Sequence, residues 1–172
     1  GMPSFQSDGV RIAYWDEGEG EPILLIHGFA SNVATNWIDP GWVSTLKASG
    51  RRVIAFDNRG HGQSEKLYDP ERYGAPIMAE DARRLLDHLG IERADVMGYS
   101  MGARISAFLV LKHPARVRSA ILAGLGINMV RGMVGTGPLA KALEAKSIDE
   151  VTNDTARSFR ASSRSCRTLG WR

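Results

Sequence analysis

Short uninterrupted apolar runs alternate with segments of helical periodicity over the first 125 residues. A run of aliphatic residues without polar interruption is typical of a strand buried on both faces, as in a parallel sheet. The predicted strands are 10–16, 22–27, 52–56, 94–98 and 119–123, and the predicted helices are 42–49, 76–89 and 101–112. This alternation predicts βαβ units, and therefore an α/β fold with a mostly parallel sheet and helices on both faces.

The pattern changes after Gly124. Glycines punctuate a loose segment up to Gly137, a helix is predicted over 138–146, and residues 155–172 are rich in Ser and Arg without amphipathic periodicity. We therefore divide the chain into a core at 1–125, a helical segment at 126–154 and an atypical tail at 155–172.

Charge and composition exclude several classes of function. The net charge is +3, but five of the 22 basic residues are arginines beyond Thr155, where there is no acidic residue. The rest of the chain has 17 basic against 19 acidic residues, so no basic surface for nucleic acid is expected. No apolar run reaches the roughly 20 residues of a membrane span, so no membrane partner is expected. A single cysteine, Cys166, suits the reducing cytoplasm, where we expect the protein to reside.

The strongest chemical signal is the pattern G-x-S-x-G at Gly98–Gly102, between a predicted strand and a predicted helix. A tight strand-to-helix turn strains the backbone of Ser100, and glycines lack the Cβ atoms that would clash there. The turn lifts the hydroxyl of Ser100 clear of the sheet, beside the N-terminus of the next helix, which favours negative charge. The alternative is a glycine-rich turn with an incidental serine.

Two further motifs lie upstream in a consistent order. His27-Gly28-Phe29 directly follows one predicted strand, and Asp57-Asn58-Arg59-Gly60-His61-Gly62-Gln63-Ser64 directly follows another. With these motifs the chain resembles the α/β-hydrolase family of esterases, lactonases and lipase-like enzymes over about residues 8 to 125. The last strands of that fold are not expected within the chain, and 126–154 would begin a cap or lid.

The resemblance implies roles for particular residues. Ser100 would be the nucleophile, and the backbone N–H groups of Phe29 and Met101 would form the oxyanion hole. Gly98 and Gly102 would be the elbow glycines, with His27 and Gly28 in the oxyanion loop. The implied activity is hydrolysis of a small-molecule carboxylic ester through an acyl-enzyme, with no metal or organic cofactor. Serine in place of aspartate argues against the dehalogenase and epoxide-hydrolase branches, whereas an acyltransferase remains possible.

A general base for Ser100 is not evident in the sequence. The family's order is Ser, acid, His, but the only later histidine, His113, lies at the far end of the helix, about 18 Å away. His61 is interpreted as structural and His88 as solvated. His27 is considered as a substitute base but is not favoured. No predicted strand delivers Asp149, Glu150 or Asp154 to the site.

We therefore expect the triad acid and histidine to be absent and the 172-residue chain to be inactive. We also expect it to form a homo-oligomer through the exposed strand at 119–123. The alternative function is that of a catalytically dead, self-associating fragment or binding module.

Overall fold

A computed structural model describes residues 1–125, which contain six strands and three α-helices. The strands are β1 (Ser4–Ser7), β2 (Val10–Glu17), β3 (Glu21–Ile26), β4 (Arg51–Phe56), β5 (Ala94–Tyr99) and β6 (Val117–Ala123). The helices are α1 (Trp42–Ala48), α2 (Ala75–His88) and α3 (Met101–Lys112). A π-helical turn at Ala34–Ile38 precedes α1.

The strands form one sheet in the order β1–β2–β4–β3–β5–β6. Strand β3 pairs in parallel with β4 and β5, and β5 pairs in parallel with β6. Strands β1 and β2 add an antiparallel margin beside β4. The predicted mostly parallel α/β sheet is thus confirmed.

Two apolar clusters cover the two faces of the sheet. Alternate side chains of β3 point to opposite faces, so Leu24 and Ile26 join the cluster beneath α2 and α3. Ile23 and Leu25 join the smaller cluster, which lies beneath α1 and contains Trp37. Burial on both sides explains the aliphatic run of this strand, and the expected helices on both faces are confirmed.

Neither β1 nor the turn at Ala34–Ile38 is predicted by the sequence pattern. Strand β1 is four residues long and buries only Phe5 and Ser7, too short an alternation to stand out. The segments 126–154 and 155–172, and the helix predicted at 138–146, lie outside the described residues. None of the described helices is long and apolar enough to cross a membrane.

The parallel strands bring the three motifs together. Because β3, β4 and β5 run in the same direction, the loops that follow Ile26, Phe56 and Tyr99 all leave from one edge of the sheet. In open α/β sheets this carboxyl edge is where ligands bind.

Candidate active site

Ser100 occupies a strained turn between β5 and α3. Its backbone has φ +55° and ψ −115°, a region that non-glycine residues rarely adopt. Its N–H donates to the carbonyl of Ala123 at 2.8 Å, and its carbonyl accepts from the N–H of Ala103 at 3.0 Å. The residue is partly exposed, and its hydroxyl makes no hydrogen bond within residues 1–125. The turn thus holds an unengaged hydroxyl at the carboxyl edge of the sheet.

The two flanking glycines permit two different close approaches. A Cβ on Gly98 would overlap the carbonyl group of Gly102 and lie 2.5 Å from Ser106 Oγ. A Cβ on Gly102 would overlap the carbonyl group of Ile26, at the end of β3. Gly98 therefore allows the turn to close, and Gly102 allows α3 to pack directly on the central strand.

The loop after β3 packs against the serine turn. A Cβ on Gly28 would lie 3.2 Å from the carbonyl oxygen of Tyr99 and 3.4 Å from Ser100 Cβ. The N–H of Gly28 donates to Asn36 Oδ1 at 3.0 Å, which fixes the start of this loop. Within residues 1–125, the N–H groups of Phe29 and Met101 donate to no acceptor. Both predicted oxyanion donors are therefore unengaged, on the two segments that meet at Ser100.

His27 is fully buried, and both of its ring nitrogens are engaged. The N–H of Asn58 donates to Nε2 at 2.9 Å, so Nε2 is unprotonated, and Nδ1–H donates to the carbonyl of Gly28 at 2.7 Å. Burial lowers the pKa of this imidazole from 6.5 to about 4, although the Gly28 carbonyl partly opposes the change. The ring is a neutral link between two loops and has no nitrogen free to act as a base.

Asp57 links the same two loops by its carboxylate. Oδ1 accepts from the N–H of Val33 at 2.8 Å, and Oδ2 accepts from the N–H of Gln63 at 2.8 Å. Two residues later, Arg59 forms a bidentate pair with Asp81 of α2, with both N–O distances 2.7 Å. This pair is almost completely buried and fastens the loop to the helix.

The other histidines do not contact Ser100. The ring of His61 lies between His27 and Phe29, with centroid distances of 5.2 and 5.8 Å, and its Nδ1 lies 3.0 Å from the carbonyl oxygen of Arg59. His88 stacks on Phe5, and His113 binds Glu80 at 2.7 Å. Residues 1–125 therefore bring together a serine hydroxyl and two loops with unengaged amides, and no histidine ring among them contacts Ser100.

Comparison with known proteins gives the family of this fold. The family described as alpha/beta hydrolase fold matches residues 21–151. The chain belongs to the α/β-hydrolase family. It is 40% identical over 116 residues to a 2-hydroxymuconate semialdehyde hydrolase of Pseudomonas sp. (strain CF600), an alignment covering 67% of this chain and 40% of that protein.

Solved structures show the same architecture. Est816, described as an N-acyl homoserine lactone degrading enzyme, has a TM-score of 0.63 and 32% identity, over 84% of this chain and 52% of its own. An epoxide hydrolase mutant of Vigna radiata has a TM-score of 0.67 and 26% identity, over 73% of this chain and 38% of its own. The chain thus spans about half or less of the length of these relatives.

An open cleft of about 660 Å³ adjoins the site of this α/β-hydrolase chain. Its described lining includes both amide-donor residues, Phe29 and Met101, and the exposed side chain of Arg104. The apolar part of the lining includes Leu67, Tyr68, Pro70, Tyr73 and Met78. This wall is not predicted from the sequence, because residues 67–78 carry no motif.

The sequence alone leaves open whether Phe29, Trp37, Met101 and Met129 line a pocket or belong to the core. Phe29 and Met101 line the cleft, whereas Trp37 is 2% exposed and belongs to the core. Met129 lies outside the described residues. Among residues 1–125, no cluster of three or more His, Cys, Asp or Glu side chains has the arrangement of a metal site.

Proposed function

We propose that Ser100 is the nucleophile of a serine hydrolase that cleaves carboxylic esters in the whole protein. As a base removes the hydroxyl proton, Oγ bonds to the carbonyl carbon and the carbonyl oxygen becomes an oxyanion. Collapse of this tetrahedral intermediate breaks the bond to the alcohol oxygen, and the alcohol leaves with the proton. Water then hydrolyses the acyl-enzyme in the same way.

The oxyanion would be held by the N–H groups of Phe29 and Met101. Such donors are effective because they are fixed before the charge develops, and the loss of one typically costs about 3 to 4 kcal/mol of transition-state stabilisation. Here the loop of Phe29 is fixed by Asn36 and Asp57, and Met101 is the first residue of α3.

The observation that carries the proposal is the strained backbone of Ser100 beside these two unengaged donors. Strain at one non-glycine residue persists only where the surroundings enforce it. Here Gly98 and Gly102 permit the close packing of the turn against α3 and β3 that holds this conformation. An incidental serine in an ordinary turn would need none of these features.

The general base is proposed to come from outside residues 1–125. His27 has both nitrogens engaged, and the rings of His61, His88 and His113 contact other residues. We accordingly propose that the 172-residue chain has at most weak activity by itself.

Two relatives bear on the reaction class. One relative is named for hydrolysis of 2-hydroxymuconate semialdehyde, and Est816 is described as degrading N-acyl homoserine lactones. A nucleophilic serine with an oxyanion hole suits carbonyl substrates of this kind. An acyltransferase, in which another acceptor replaces water, would use the same residues.

The proposal is tested by labelling with a fluorophosphonate probe, with and without added imidazole as an external base. We expect the label on Ser100 by peptide mass spectrometry, with a rate that rises with imidazole if the chain lacks its own base. Ser100→Ala should abolish labelling, whereas Ser44→Ala, on α1 far from the site, should not. Labelling that is spread over other serines, or unchanged in Ser100→Ala, would overturn the proposal.

The second candidate is a non-catalytic, self-associating chain. Strand β6 pairs with β5 alone among the described strands, and Ala120, Ile121 and Leu122 are only partly buried. An open strand edge is a template for pairing with another chain. Light scattering at tens of micromolar should then give a dimer or larger species, and a monodisperse monomer would exclude this candidate.

A further inference from the structure

Arg104 is the only positively charged residue in the described lining of the cleft, and no carboxylate lines it. Its guanidinium makes no hydrogen bond or ion pair within residues 1–125. Several other arginines of residues 1–125 are held by carboxylates, as Arg59 is by Asp81, Arg52 by Asp16 and Arg118 by Asp95. Arg72 and Arg93 also lack a carboxylate partner there, but neither lines this cleft. An arginine fork left open beside an apolar surface is suited to bind an incoming carboxylate in two-point contact.

The position of Arg104 relative to the oxyanion donors defines the ligand further. Arg104 lies three residues after Met101 on α3, so the two side chains share one face of the helix. Its Cα is about 6 Å along the helix axis from that of Ser100, at 1.5 Å per residue. The wall formed by Leu67, Tyr73 and Met78 is apolar. A ligand that reaches both ends needs a carbonyl at one end, an anion at the other and an apolar chain between them.

We propose that the cleft selects carbonyl substrates that carry a carboxylate on an apolar chain, and that Arg104 binds this carboxylate. The inference rests on the proposed function for the orientation of the ligand, because the reacting carbonyl is placed at the amides of Phe29 and Met101. Arg104 is a specificity-determining residue and takes no part in bond making.

The test compares monomethyl adipate with dimethyl adipate, which has the same chain and ester but no charge. Binding to the 172-residue chain is measured by ligand-observed NMR titration. We expect the monoanion to bind about tenfold more tightly than the diester, the ratio given by one charge-assisted hydrogen-bonded pair. The preference should shrink as salt is raised, since a partly exposed ion pair is screened.

Two variants assign this preference to one side chain. Arg104→Gln should remove the preference for the monoanion and leave binding of the diester unchanged, and Arg104→Lys should retain part of it. Arg93→Gln is the matched control, because Arg93 is exposed and immediately precedes β5, at the opposite end of that strand from Ser100. The inference is overturned if Arg93→Gln loses as much of the monoanion preference as Arg104→Gln does. It is also overturned if the unchanged chain binds the two esters with equal affinity.

Failure of the catalytic proposal is separable from failure of this one. Ser100→Ala removes the nucleophile but leaves the cleft, so the monoanion preference should persist in that variant. If a fluorophosphonate does not label Ser100 while the preference depends on Arg104, only the catalytic role is wrong. If Ser100 is labelled and the two adipates bind alike in the unchanged chain, only the substrate class is wrong.

Discussion

The buried imidazole of His27 predicts that the fold loses stability in mildly acidic solution. Protonation would put a second N–H on the ring at Nε2, which faces the N–H of Asn58 at 2.9 Å. The accepting lone pair would be lost, two donors would oppose each other, and a charge would be buried beside His61 with only partial compensation from Asp57. The imidazole can be protonated only at a large cost while the loops remain folded.

The size and direction of this change in the free energy of unfolding follow from proton linkage. The pKa of His27 is about 4 in the folded chain, against 6.5 for an unperturbed histidine. The unfolded chain therefore binds more protons between pH 4 and 6.5, so stability falls as the pH falls through this window. The full difference corresponds to about 3 kcal/mol, since each tenfold change in proton affinity is worth about 1.4 kcal/mol. Between pH 7 and pH 5 the loss is about 2 kcal/mol.

The pH range isolates this residue from the acidic groups with lowered pKa values. Burial opposes ionisation of Glu80, but hydrogen bonds from His113, Arg83 and Lys112 outweigh it and lower its pKa to about 2. The hydrogen bond from Arg118 holds the pKa of the Asp95 carboxyl well below its usual value. Stability from these depressed carboxylates is present above the unfolded pKa and is lost only as the pH falls below about 4.5.

The assay is urea unfolding at pH 7 and pH 5, followed by tryptophan fluorescence. With an m-value of about 2 kcal/mol/M, the midpoint should fall by about 1 M. NMR titration of the His27 ring should give a pKa near 4, and His27→Gln should flatten the pH dependence over this window. A ring that titrates near 6.5, or a His27→Gln variant with an undiminished slope, would refute the reasoning.

Two further predictions concern the polar pair and the turn. Asp81→Ala leaves the buried guanidinium of Arg59 unpaired and should lower the free energy of unfolding by about 3 to 5 kcal/mol, measured in urea, whereas Glu17→Gln at an exposed pair should cost less than about 1 kcal/mol. Similar losses in both variants would contradict the role of burial. Gly98→Ala should destabilise by about 1 to 3 kcal/mol or more through backbone overlap and abolish labelling of Ser100. Gly90→Ala, with open space around the added methyl at φ +67°, should cost only about 1 kcal/mol from backbone strain and leave labelling intact.

The parts of the fold that sequence could predict are those with a local cause. The strands predicted at 22–27, 52–56 and 94–98 agree within one residue with β3, β4 and β5, because central parallel strands are continuously apolar. The helix predicted at 76–89 is observed at Ala75–His88, with Pro76 in its first turn. The strained serine was located because its glycines are required within two residues of it.

The parts that could not be predicted depend on contacts between distant residues. His27 donates to the carbonyl of Gly28 and accepts from the N–H of Asn58, 31 residues away, so its tautomer follows only from the folded structure. The cleft combines residues from the loop after β3, residues 67–78 and α3, and no sequence signature shows that Arg104 lacks a partner among residues 1–125. Charge pairing is a property of the assembled surface.

The polar residues at the carboxyl edge act together to hold the loop of Phe29, which is the oxyanion loop of the proposed mechanism. Asp57 and His27 connect this loop to the loop after β4, and the Arg59–Asp81 pair fastens the latter to α2. Each connection is buried, so water competes little for it, and removal of one partner leaves the other unsatisfied. Amides that are held this rigidly need not reorganise as negative charge develops, which is the condition for electrostatic stabilisation of a transition state. The stability of these buried connections and the readiness of the Phe29 amide therefore have the same physical origin. In the proposed mechanism, a variant that loosens these connections should slow acylation of Ser100 without contacting it.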